Sequence, residues 1–130
     1  MKLRYKILIL WLICIAYAFI MKGCQAQELT ASWYSVASLK AEGTWKTSKG
    51  VMADGKCFSD SGFTCATRLY PLGTCLRISS IETGKWVVVE VTDRVGARFA
   101  KTRIDLTPMA FLRLAELEKG VVAVNVEEVK

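Results

Sequence analysis

The chain has no histidine and no Cys-X-X-Cys pair. Zinc sites are built from imidazole and thiolate at short recurring spacings, so a metal centre is excluded, and no cofactor is expected. It also lacks a dense basic face. Lys2, Arg4, Lys6 and Lys22 all stand before Gln27, where there is no acidic residue, and the chain from Gln27 onward carries 14 basic and 12 acidic side chains. That near-balance argues against nucleic acid as a partner. There are only two prolines, and no Pro/Ser-rich linker, repeat or low-complexity tract interrupts residues 27–130. One domain of about a hundred residues is therefore expected.

The apolar run Ile7–Met21 is shorter than the roughly 20 residues a membrane-spanning helix needs. It follows a basic start and precedes small and polar residues, which is the layout of a secretory signal. Residues 1–26 are thus expected to be a signal peptide or lipoprotein leader, forming an N-terminal signal or anchor helix. Two exits are open. Cys24-Gln25-Ala26 supplies small residues for cleavage before Gln27, whereas Met21-Lys22-Gly23-Cys24 is a variant lipoprotein box in which Cys24 would be acylated. The protein is expected to be exported, periplasmic or in the cell envelope, and to meet a membrane only through this leader or a lipid anchor.

Cys57, Cys65 and Cys75 remain in the domain. An exported protein can form disulfides, so one bridge and one spare thiol are expected, with the pairing open among the three.

The chain is organised around Trp86–Thr107. The run Trp86-Val87-Val88-Val89-Glu90-Val91 leads into Thr92-Asp93-Arg94, and a second short apolar element carries Ile104-Asp105-Leu106-Thr107. Both elements read as strands, and Asp93 and Asp105 sit at their ends. Leu29–Tyr34 reads as the first strand. Ser35–Gly50 is polar and ambiguous, and its Trp45 either folds back as a plug or offers a platform for a sugar ring. Asp54-Gly55 is a turn, and Phe63–Thr67 is a short strand. Cys75–Ile78 alternates as a half-buried strand should, and Glu82–Lys85 turns it into Trp86–Val91. Thr107 and Pro108 suit the cap and first position of a helix, expected to run about ten residues before Gly120 stops it. Val122, Val124 and Val126 alternate in a last strand. Six or so short strands with one short helix make the domain mainly β and point to a small closed barrel.

Ala31-Ser32-Trp33-Tyr34, Ala53-Asp54-Gly55, Pro71-Leu72-Gly73-Thr74, Glu82-Thr83-Gly84-Lys85, Val91-Thr92-Asp93-Arg94 and Ile104-Asp105-Leu106-Thr107 stand in the order and approximate spacing of one family. The chain resembles rare lipoprotein A (RlpA), a bacterial septal-ring family with a double-psi β-barrel, over Thr30–Val129. More distantly it is similar to expansins, barwin-like proteins and MltA-type transglycosylases. The resemblance implies a six-stranded double-psi β-barrel and lytic transglycosylation of peptidoglycan glycan strands that lack stem peptides.

Where the family usually reads Asn-Gly-Glu, this chain has Asp54-Gly55-Lys56; where it usually has a histidine, this chain has Thr67. The glycine and proline common after Asp-Arg are Val95 and Gly96, and Ser35–Gly50 looks longer than in typical members. Asp93 and Asp105 remain.

A lytic transglycosylase needs no water as nucleophile. An acid protonates the glycosidic oxygen, an oxocarbenium-like centre develops, and the sugar's own C6 hydroxyl closes an anhydro ring. One carboxyl group can suffice, unlike the pair of an ordinary glycosidase. By resemblance, Asp105 is expected to be the acid/base and Asp93 its electrostatic partner or a substrate hydrogen-bond acceptor. A nearby negative charge would help to keep that acid protonated. The competing reading makes both aspartates structural, accepting backbone N–H bonds. Tyr34 is expected to line the groove or simply pack. Asp54 reads mainly as a turn residue, Thr67 stands where the imidazole is expected, and Lys56 could bind lactyl or peptide carboxylates. Arg94 is expected either to contact an anionic group of the glycan or to pair with Glu90 or Glu82. Two rival functions stay open: a non-catalytic glycan-binding or expansin-like wall-loosening module, with Trp33 and Trp45 as aromatic contacts, and a structural envelope protein that dimerises through its odd cysteine.

Overall fold

A computed structural model of the protein describes residues 2–20 and 26–130. Helix α1 (Lys2–Ile20) falls within the stretch expected to be a leader, and among the described residues no helix is long and apolar enough to cross a membrane. Cys24 and the two leader exits lie outside the described residues.

The domain begins with β1 (Gln27–Trp33), followed by the short helices α2 (Val36–Ala41) and α3 (Thr44–Ser48). Then come β2 (Thr64–Ala66), β3 (Cys75–Ser80), β4 (Trp86–Asp93), β5 (Arg103–Leu106), α4 (Pro108–Leu112) and β6 (Val121–Glu128). The six strands close into a barrel in the order β1-β5-β2-β4-β3-β6. Two pairings are parallel, β1 with β5 and β2 with β4, and the other four are antiparallel. The turn expected at Glu82–Lys85 joins β3 to β4 in antiparallel register, with Ile78 opposite Val87.

Period-two alternation explains the core. Val87, Val89 and Val91 of β4, Leu76 and Ile78 of β3, and Val122, Val124 and Val126 of β6 all point inward and are buried. Their neighbours Trp86, Val88 and Val121 face out. Phe111 and Leu114, both buried, join the core cluster from α4 and the turn after it.

The helix is shorter than expected. Thr107 caps it by accepting from Ala110 N at 3.3 Å, and Pro108 occupies its first turn. The next bonds tighten to three-residue steps, Arg113 N to Ala110 O at 3.1 Å and Leu114 N to Phe111 O at 2.8 Å. Glu116 is extended (φ −68°, ψ 146°), and Leu117–Lys119 form a separate 3-10 turn ended by Gly120 at φ 72°. Phe111 and Leu114 stand three residues apart, so they share one face of the turn and both reach the core.

Ser35–Gly50, expected only as a polar stretch, forms an insert of two short helices. Ser35 makes a reciprocal capping box with Ser38 at the start of α2. The insert ends at Lys49 and Gly50, both at positive φ. Trp45 packs its ring against Gly50, where a Cβ would lie 2.6 Å from the indole. Any other residue at Gly50 would collide with that ring.

The expected disulfide is not formed. Cys57, Cys65 and Cys75 are all free thiols. Cys65 faces the barrel interior and is fully buried, whereas Cys57 and Cys75 are exposed. Burial, reinforced by the negative charges of Asp105 and Glu90, pushes the Cys65 thiol far above its ordinary range, so it stays protonated.

Two measurements check this architecture. Phe111→Ala should lower unfolding free energy by about 3–5 kcal/mol in a denaturant titration, whereas Met109→Ala, exposed on the same helix, should stay within about 0.5 kcal/mol. Iodoacetamide at pH 8 followed by peptide mass spectrometry should modify Cys57 and Cys75 in the folded protein, and Cys65 only after denaturation.

Candidate active site

The strand registers place four residues in one row across the outer surface of the barrel. Ser32 on β1 is opposite Asp105 on β5, Asp105 is opposite Ala66 on β2, and Ala66 is opposite Asp93 on β4. The last pairing needs a bulge. Cys65 faces Val91 but Ala66 faces Asp93, so Thr92 is an extra residue on β4. A bulge re-aims the side chains that follow it. Here Val91 stays in the core and Thr92 is buried on the other side, with its hydroxyl on the Met52 sulfur at 3.2 Å. Asp93 is thereby brought into line with Asp105. With neighbouring strands about 4.8 Å apart, the two aspartate backbones stand roughly 10 Å apart. Only the Ala66 methyl lies between them in the row.

Above this row is a cleft of about 500 Å³. Its floor includes Ala66, Asp93 and Asp105. Trp33, Tyr34 and Phe58 contribute aromatic surface, and the α2–α3 insert forms a further wall with Ser38, Leu39, Glu42, Thr44 and Ser48.

Asp105 is held by a local cluster. Its Oδ1 accepts from the Ser32 hydroxyl and from Arg103 Nε at 2.7 Å, and Arg103 Nε also lies 2.7 Å from Ser32 Oγ. The guanidinium lies over the Phe99 ring, 4.8 Å from its centroid. The charge against Asp105 is thus Arg103, not the Asp93 carboxylate expected there. Neither Ser32 nor Arg103 was singled out in the sequence. Arg103 was findable, because residues two apart on a strand share a face. Ser32 was findable only with the β1–β5 register in hand.

Asp93 ties loops together. Its Oδ1 accepts from Ala53 N at 3.1 Å and Arg94 N at 2.9 Å, and its Oδ2 accepts from the Tyr34 hydroxyl at 3.4 Å. Tyr34 lines the cleft and packs at once, with its ring 4.6 Å from that of Phe58. Burial first, and then the charge of Asp93, raise the Tyr34 phenol far above its ordinary range, so it is a neutral donor.

Arg94 does not pair with Glu90 or Glu82. Its Nη1 donates to the carbonyls of Thr67 (2.7 Å) and Tyr70 (2.6 Å), and Glu82 pairs with Lys119 instead. Arg68 makes the reciprocal tie, Nε to Val95 O at 2.6 Å. Two arginines therefore stitch the loop after β2 to the loop after β4. Thr67 is fully buried in that seam, where its hydroxyl accepts from Leu69 N at 3.2 Å.

The other candidates stand apart from the cleft. Asp54 accepts from Lys56 N at 2.9 Å, as a turn aspartate does. Lys56 is exposed and outside the lining. Trp45 also lies outside it, with its ring on Gly50 and Lys40 Nζ 5.2 Å from its centroid.

The raised phenol gives a pH signature. A group held neutral in the folded state contributes stability below its unfolded pKa and loses it as pH rises beyond that value. Unfolding free energy should therefore fall with pH above about 10, the ordinary tyrosine value. Tyr34→Phe should flatten that fall in denaturant titrations between pH 8 and 11, with Cys65 supplying a remaining part.

A family model described as lytic transglycolase matches residues 26–126. The chain is 34% identical over 98 residues to the endolytic peptidoglycan transglycosylase RlpA of Pseudomonas aeruginosa, covering 75% of this chain and 26% of that protein. It is 33% identical over 76 residues to the probable endolytic peptidoglycan transglycosylase RlpA of Treponema pallidum, covering 58% of this chain and 24% of that protein. The chain thus spans about a quarter of the length of these curated relatives. Among solved structures, the Streptomyces papain inhibitor superposes with a TM-score of 0.62 at 24% identity, over 82% of this chain and 96% of the inhibitor. An expansin of Clavibacter michiganensis in complex with cellohexaose superposes at 0.60 and 16% identity, over 82% and 51% respectively. Those two likenesses concern the fold. The closed six-stranded barrel, the residues matched and the RlpA relatives agree that this chain belongs to the lytic transglycolase family, as an RlpA-like double-psi β-barrel.

Proposed function

We propose that the protein is exported to the cell envelope and cleaves peptidoglycan glycan strands as a lytic transglycosylase, leaving anhydro-MurNAc ends. The observation that carries this reading is the Ser32–Asp105–Ala66–Asp93 row on the floor of the cleft. It sets two carboxylates beside a cleft of about 500 Å³, with no bulky side chain between them.

Asp105 is the proposed acid. Its Oδ1 is anchored by Ser32 and Arg103, which leaves Oδ2 to address the glycosidic oxygen. As that oxygen takes the proton, negative charge develops on the carboxylate. Arg103 and Ser32 are already in place to stabilise it, and donors aimed at developing charge lower a barrier without reorganising. The C1–O bond breaks, positive charge spreads over the sugar ring, and the C6 hydroxyl attacks C1. The hydroxyl proton then passes to a carboxylate of the cleft. Asp93, held by Ala53, Arg94 and Tyr34, acts as a fixed negative charge near the oxocarbenium. Trp33, Tyr34 and Phe58 offer the apolar surface on which sugar rings stack.

A second reading is favoured by the surroundings of Asp105 and Thr67. Arg103 already neutralises the first, and the second is closed into a loop seam with no imidazole in its place. On that reading the cleft binds glycan without cutting it, and Lys56 meets lactyl or peptide carboxylates at its edge. A tether through Cys24 would hold either form at the membrane.

Incubation with purified glycan strands, with and without stem peptides, separates the two. The expected outcome is anhydro ends detected by mass spectrometry, preferentially from peptide-free strands, and their loss in Asp105→Asn. Co-sedimentation with glycan but no anhydro ends from the wild type would establish the binding module instead.

A further inference from the structure

Three carboxylates line the cleft, and two of them are committed to protein partners. Asp93 has both oxygens occupied, by two backbone N–H groups and the Tyr34 hydroxyl. Asp105 has Oδ1 shared between Ser32 and Arg103. The third is Glu42, the residue that closes α2. Its backbone N–H donates to Ser38 O at 2.9 Å. Its side chain is exposed, lines the cleft, and has no hydrogen bond or ion pair among the described residues.

A general base needs a lone pair free to receive a proton and a position within reach of the group that gives it up. Asp93 meets the first condition poorly, with three of its roughly four lone-pair sites taken by protein donors. Asp105 meets it only after it has spent its own proton. Glu42 meets it at rest. It also comes from the insert, whereas Asp105 comes from β5, so the two carboxylates line the cleft from different elements. Lys56, exposed outside the lining, supplies no such group.

We propose that Glu42 is a catalytic residue of this cleft, the base that takes the proton of the sugar hydroxyl as it closes the anhydro ring. The proposal rests on the transglycosylase reading above. Asp105 gives one proton to the glycosidic oxygen as the C1–O bond breaks. The C6 oxygen forms its bond to C1 and gives its proton to Glu42. One proton leaves the Asp105 carboxyl and one arrives at the Glu42 carboxylate, so the glycan is cleaved with no net gain or loss of atoms. Because Glu42 is exposed at the cleft edge, it returns its proton to water, and Asp105 takes one up before the next cycle.

The test is made on the full chain in detergent with peptide-free glycan strands, reading the rate of anhydro-end formation against strand concentration. Glu42→Gln should lower kcat by about 100-fold or more, with KM within about twofold and an unchanged thermal midpoint. Glu42→Asp should restore part of the rate. A Gln variant with wild-type kcat, or one whose only change is a raised KM, overturns the proposal and leaves the transglycosylase reading standing. A wild-type protein that makes no anhydro ends overturns both.

Discussion

Three residues, Thr64–Ala66, hold the barrel together. β2 lies between β5 and β4, pairing antiparallel with one and parallel with the other. It thus joins the β1–β5 side of the sheet to the β4–β3–β6 side. So short a strand has few ladder bonds, and flanking contacts reinforce it. Glu90 N donates to Phe63 O, Thr107 N to Thr64 O, and Thr67 N to Asp93 O. The Thr107 hydroxyl, besides capping α4, donates to Gly62 O. The side chain that faces the core here is the Cys65 thiol, and the one that faces the cleft is only a methyl. The same three residues therefore close the fold and leave room for a ligand.

The chemistry of the cleft follows from that arrangement. Asp105 is on a regular strand, so its partners are those the pleat dictates: Ser32 across the ladder and Arg103 two residues back. Asp93 is at a strand end beyond a bulge, where unpaired backbone N–H groups are available, and it collects them. Two carboxylates that look alike in the sequence thus acquire different surroundings. One is a charged pair with a free oxygen, and the other is an anchor between loops with both oxygens engaged. Burial gives Tyr34 its role as a neutral donor between Phe58 and Asp93.

Much of the barrel was legible in the sequence because its signals are local. The alternating valines of β4 and β6, the Glu82–Lys85 turn and the Thr107-Pro108 helix start each rest on a few adjacent residues. Two kinds of feature were hidden. Ser35–Gly50 has no apolar periodicity, since its short helices bury little, and so its capping residues could not be told from loop residues. Interactions with backbone carbonyls were also invisible. Arg94 looked like a surface arginine in search of a carboxylate, but its acceptors are the carbonyls of Thr67 and Tyr70, and any sequence could supply those. Asp93 and Asp105 were identified from the ends of apolar runs, but their partners depended on register. Glu42 carried no signal of its own, because its place in the cleft comes entirely from the fold of the insert around it.

The contact between Trp45 and Gly50 bears on how this barrel can diversify. The insert runs from Ser35 to Gly50, and a further loop leads from it to β2 at Thr64; its ring-on-glycine latch lies within the insert itself. Its tie to the rest of the domain near the start of α2 includes Val36 N on Asp60 Oδ1 at 2.9 Å. A segment latched internally can be exchanged for one of different length or composition without disturbing the strand registers beneath it. The floor of the cleft is then set by the strand registers, and the wall, with the Glu42 it carries, by contacts of the insert's own.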